Sequence, residues 1–225
     1  MTDSSTLSAA CVALPLFPLP GGVLLPGPAL PLHVFEPRYR QLVQDVLSVA
    51  GRTGGAEYGF LAIPQMVPDE ESGLTPPILP YAGVGKILAH RLLDDGRYNI
   101  LVQPVGRVRL VEELLGRAEP YRMARVDLLA DDPFVPRELE RAGARLLALV
   151  GPLLGRMGDR AQELRQGLST LDRAKVAEAV APFVLRDADD RQAYLAEDDP
   201  VARAGLVETA VLGIMGALGE GLGDA

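Results

Sequence analysis

The chain has 225 residues, 48% hydrophobic and 23% charged, with a formal net charge of −8 and a pI near 4.9. That composition belongs to a globular protein long enough to bury a sizeable core and excludes a disordered or low-complexity chain. The acidic excess argues against a surface that grips nucleic-acid backbone throughout, and the single cysteine, Cys11, excludes an intramolecular disulfide and fits a reducing compartment.

Residues 1–13 contain Asp3 but no Lys or Arg, so they lack the basic start of a secretory leader and are expected to form a flexible tail. No run approaches the roughly 18 apolar residues of a membrane helix, which points to a cytoplasmic protein without membrane contact. From Leu14 onward, Pro15, Pro18, Pro20, Pro26 and Pro28 interrupt an apolar stretch, and Gly21 with Gly22 permits a sharp turn. "ALPLHVF" then reads as a strand, with Leu30, Leu32 and Val34 on one face and Pro31, His33 and Phe35 on the other. Pro37 opens the clearest helix, whose apolar residues Tyr39, Leu42, Val43, Val46, Leu47 and Ala50 recur at helical spacing up to Gly51. "YGFLAI" is a buried strand; a Pro-, Gly- and acid-rich loop covers 64–80. Two longer strand patterns, "YAGVGKILAHRLL" and "RYNILVQPVGRVRLVEEL", flank the turn at Asp94–Gly96, and "YRMARVDLL" completes the set. Beyond Pro136 the segments become rich in Ala and Leu with helical period, interrupted by Pro152 and Pro182.

Residue types that carry chemistry are sparse. No serine lies in a G-x-S-x-G or S-x-x-K pattern, and "GVGKIL" lacks the spacing of a phosphate-binding loop. One cysteine and two distant histidines, His33 and His90, supply no metal-binding pattern, and a Cys–His nucleophilic pair competes with the commoner role of cysteine as a packed hydrophobe. The carboxylate clusters fall in loops and at helix starts, where they complement the helix dipole. Arg107 and Arg109 share one strand face and form the candidate basic strip, diluted by Glu112, Glu113 and Glu119.

The opening "LPLFPLPGGVLLPGPALPLHVFEPRYRQLV", the central "YAGVGKILAHRLLDDGRYNILVQPVGRVRL" and the late "ADDRQAYLAEDDPVARAGLVETAV" together resemble the N-terminal domain of the Lon protease family, especially its small stand-alone form. The resemblance implies an α+β fold: a PUA-like antiparallel β-barrel with an inserted helix over 14–132, a C-terminal α-helical bundle over 133–218, and flexible ends at 1–13 and 219–225. Because the chain holds no phosphate-binding loop, no candidate serine–lysine dyad and no metal-ligand pattern, the family's ATPase and peptidase activities are not carried over, and no cofactor or metal is expected. The role the resemblance implies is contact with protein substrates and self-association into a homo-oligomer. The expectation is therefore a non-enzymatic module for unfolded or exposed polypeptide, acting as an adaptor for a separate protease. RNA binding through Arg107 and Arg109 is the alternative, opposed by the net charge, and a hydrolase using Glu36 or His90 as acid or base ranks last. The candidate peptide-binding groove comprises Phe35, Glu36, Arg38 and Tyr39, beside a proline-interrupted strand that could accept an extended peptide by strand addition. The competing reading places Tyr39 in the core, Glu36 as a cap and Arg38 in solvent.

Overall fold

The structure, a computed structural model, describes residues 4–52, 59–67, 76–129, 137–155 and 166–220. The chain divides into two compact units, Met1–Ala130 and Asp131–Ala225. The boundary expected at 132/133 lies outside the described residues, as do residues 68–75 of the loop expected over 64–80; of the rest, 64–66 and 78–80 belong to strands instead.

The first unit is a seven-stranded mixed sheet with two helices. Helix α1 (Ser4–Ala10) precedes β1 (Leu14–Pro15), β2 (Leu19–Pro20) and β3 (Leu30–Val34); α2 (Pro37–Arg52) leads to β4 (Phe60–Met66), β5 (Ile78–Leu92), β6 (Tyr98–Glu113) and β7 (Met123–Leu129). The order is β1-β7-β6-β5-β4-β2, with β3 paired to the first part of β6. Every pair is antiparallel except β2 with β4. Two expectations need correction. The sheet is not closed as a barrel, and the prolines supply the physical reason. Pro15, Pro18 and Pro20 have no amide proton to donate, so 14–20 makes two two-residue strands instead of one continuous ladder. Between them, single bonds from Leu16 N to the Arg122 carbonyl and from Phe17 N to the Ala62 carbonyl, each 2.8 Å, carry the segment from β7 across to β4. The opening segment is therefore occupied by internal pairing. Of the tail expected over 1–13, residues 4–13 are not merely a tail: α1 buries Leu7, and Cys11 follows it into the core.

Apolar residues pack in two clusters. Tyr39, Leu42, Val43 and Val46, one face of α2, meet Leu61, Ile63, Ile87, Tyr98, Ile100 and Val102. Leu7 and Cys11 join Leu14, Leu16, Phe60, Ala62, Val84, Val108 and Val126 in the other. Alternating strand residues thus feed two cores. Strands β5 and β6 are long, 15 and 16 residues, and bulges near Val84/Gly85, Ile87/Ala89 and Leu110/Glu112 bend them. Gly83 is required at its position, because a methyl group there would collide with the backbone carbonyl of Leu24.

The second unit is helical: α3 (Arg137–Gly155), a helical turn at 166–170, a 3-10 turn at Arg173–Lys175, α4 (Val176–Val184), α5 (Ala188–Ala196) and α6 (Pro200–Glu220). Pro152 and Pro182 lie within α3 and α4 rather than ending them. The turn at 166–170 is separated from α4 at Asp172, whose carboxylate accepts from Ala174 N at 3.1 Å. Arg145 on α3 pairs with Glu208 on α6 at 3.0 Å. Helix α6 also corrects the membrane reading. Its window Pro200–Ala217 is long and apolar enough, at mean hydropathy 1.2, to cross a membrane by length and composition. Within that window Arg203 is buried, donating to the Glu197 carbonyl at 2.8 Å, while Ala204, Val207 and Val211 are buried beside it.

Candidate functional site

The start of α2 supplies one wall of a recess. Pro37, with its preset φ, fits the first helical position, and the carbonyl of Glu36 accepts from Tyr39 N at 3.1 Å and Arg40 N at 2.9 Å. Its carboxylate accepts from Arg38 Nε at 2.9 Å, so Glu36 holds the guanidinium in place. Arg38 in turn lies 4.6 Å from the centre of the Tyr39 ring, a cation–π distance. Tyr39 itself is buried, its ring 4.4 Å from that of Phe17. Burial, the largest influence, pushes its phenol above the usual value.

The opposite wall is the β6–β7 hairpin. Leu114 N donates to the Met123 carbonyl at 2.9 Å, and Gly116 turns the chain with φ +71°. Arg122 clamps the base of the hairpin: Nε donates to Glu113 at 2.7 Å and Nη1 to the Pro76 carbonyl at 2.7 Å. Tyr121 ties the hairpin to α2 by donating to Asp45 Oδ2 at 2.8 Å; burial and that bond hold its phenol far above the usual range. The recess between these walls has a volume of about 220 Å³ and is lined by Arg38, Tyr39, residues 113–117 and residues 119–123.

Arg38 faces Glu36, Arg117 faces Glu119 and Arg122 faces Glu113, so each arginine lining the recess has a carboxylate partner. Between these pairs lie the apolar surfaces of Leu114, Leu115, Pro120 and Met123, and Leu115 is 89% exposed. Cys11 packs in the core, where burial, followed by the nearby Asp127 carboxylate, raises its thiol pKa, opposite to the shift that activates a nucleophile. Among the described residues no group of His, Cys, Asp and Glu could hold a metal ion.

Two of the four residues expected in a groove, Arg38 and Tyr39, line the recess, and Glu36 positions the first of them. Phe35 is directed elsewhere: 61% exposed, it stacks beside His33 with ring centres 6.3 Å apart. His33 is held by Asn99 Oδ1 at 2.7 Å from Nδ1 and Arg97 Nη1 at 3.0 Å from Nε2; a guanidinium can only donate, so the ring's proton sits on Nδ1. The basic strip does not form as two exposed charges. Arg107 is 2% exposed, whereas Arg109 lies in solvent and pairs with Asp127 at 2.7 Å. His90 is exposed on β5. The hairpin residues Leu115, Tyr121 and Met123 escaped sequence reasoning. The available signal was a leucine directly before the turn glycine Gly116, where an apolar side chain has little to bury against.

Comparison with known proteins places this geometry in a family. The model of the ATP-dependent protease La (LON) substrate-binding domain matches residues 13–211. Lon protease 2 of Sorangium cellulosum is 25% identical over 211 residues, covering 93% of this chain and 25% of that protein. Lon protease 1 of Herpetosiphon aurantiacus is 27% identical over 192 residues, covering 81% and 22%. The chain thus spans about a quarter of the length of these curated relatives. The N-terminal domain of Mycobacterium avium complex Lon protease shares the fold with a TM-score of 0.67 at 16% identity, over 88% of this chain and 97% of that one. A Lon N-terminal domain protein from Xanthomonas campestris gives 0.58 at 26% identity, with the same coverage of each. With a match running from residue 13 to residue 211, the chain belongs to the ATP-dependent protease La (LON) substrate-binding domain family.

Proposed function

We propose that this chain is a polypeptide-binding module without chemistry of its own, which takes up unfolded or exposed segments and presents them to a separate protease. Membership of a substrate-binding domain family carries this reading. The recess beside α2 supports it: apolar side chains set among ion-paired arginines suit the mixed character of an unfolded chain and contain no activated nucleophile. The burial of Arg107 and the pairing of Arg109 with Asp127 favour this reading over RNA binding.

The test is fluorescence polarisation with a labelled, reduced and carboxymethylated lactalbumin, which stays unfolded, beside its native form and a labelled RNA oligonucleotide, across a salt series. Saturable binding of the unfolded form that survives salt is expected. Binding of RNA alone, lost steeply as salt rises, would replace the proposal with nucleic-acid recognition.

A further inference from the structure

Strand β5 changes character along its length. Its pairing with β4 ends at Phe60↔Lys86; beyond that point, among the described residues, β5 is laddered to β6 alone. All five residues from Leu88 to Leu92 are exposed, although each partner on β6 from Tyr98 to Leu101 is itself paired with β3 on its other side. Leu88 is 55% exposed and Leu92 57%, so two large aliphatic side chains stand in water on the edge of a paired strand. Leu93 N donates to the Arg97 carbonyl at 2.8 Å, making those two residues a hydrogen-bonded pair at the hairpin turn. Antiparallel alternation then directs the backbone N–H and C=O of Leu92 away from β6, towards the open edge.

A strand edge of this kind has one natural complement, another extended backbone. The local charge narrows the choice. Lys86 and Arg91 fall within the seven residues 86–92, which contain no Asp or Glu, in a chain whose net charge is −8. We propose that the Leu88–Leu92 edge of β5 is the docking site for an extended, neutral or acidic stretch of unfolded polypeptide, which adds as a strand and packs its apolar side chains against Leu88 and Leu92. The inference rests on the polypeptide-binding reading above and adds to the recess beside α2 a second contact, made through backbone. The bulge at Ile87/Ala89 and the basic side chains are features that discourage indiscriminate edge pairing, which suits reversible capture.

The test uses the same unfolded lactalbumin with the full chain, the double variant L88Q/L92Q, and L171Q, which alters an exposed leucine of the helical unit. Thermal melts followed by circular dichroism establish that each variant is folded. Wild type and L171Q are expected to bind alike, with the double variant weaker by about tenfold or more. Equal binding by wild type and L88Q/L92Q would overturn the β5 edge while leaving the polypeptide-binding reading in place. Equal weakening in all variants would also overturn it, pointing to adhesion on any exposed leucine. Failure of wild type to bind the unfolded probe would remove both.

Discussion

The two halves of β5 have opposite surroundings. From Ala82 to Ile87 the strand lies between β4 and β6, and Ala82, Gly83, Val84, Gly85 and Ile87 are buried. From Leu88 to Leu92 it keeps β6 but has lost β4, and every residue is exposed. Hydrophobicity alone does not separate Ile87 from Leu88. What separates them is how far the neighbouring strand extends.

That contrast can be broken by substitution. Ile87→Ala, at a fully buried position, should cost about 4 kcal/mol through lost burial and the cavity left behind, read as a lower urea midpoint. Gly83→Ala should cost about 3 kcal/mol, because the added methyl meets the rigid Leu24 carbonyl. Tyr121→Phe removes the bond to Asp45 and should cost about 1 kcal/mol near neutrality. Leu88→Ser, one residue from Ile87, should change stability by less than about 0.5 kcal/mol. Arg109→Ala, which breaks a solvent-exposed ion pair, should leave the urea midpoint where it was.

Tyr121 also sharpens the account through pH. Burial and the Asp45 bond raise its folded pKa above the ordinary value of 10.0. A group shifted in this direction contributes its full stability below the unfolded pKa. That contribution is lost as pH climbs above 10, because the unfolded chain releases the proton first. Melting temperatures of wild type should fall above that pH, and Tyr121→Phe should show a shallower fall. Equal slopes would mean that the phenol titrates alike in both states.

Much of the fold was legible. The i, i+3, i+4 spacing of Tyr39, Leu42, Val43 and Val46 predicts both α2 and its buried face. Asp94–Gly96 marks the turn between the two long strands, and Gly96 adopts φ +79° there. Barrel closure was implied by the resemblance, whereas the prolines of the opening segment decide how many amides it can offer to a ladder. Helix α1 was missed because its seven residues hold little beyond Leu7 to bury. For Arg107 and Arg109, strand alternation gives the shared face but not the depth, which depends on what covers each end of β6. Half of the candidate site was legible for the same reason: Arg38 and Tyr39 are local to α2, while Leu115, Tyr121 and Met123 arrive through tertiary folding of the hairpin.

The central claim, that this domain holds polypeptide along the open half of β5, is tested most directly by amide hydrogen exchange across that strand with and without unfolded lactalbumin. The account predicts protection at 82–87 in both states and new protection at Leu92, whose amide alternation directs away from β6, only when the probe is bound. Unchanged exchange at Leu92 under saturating probe would contradict it.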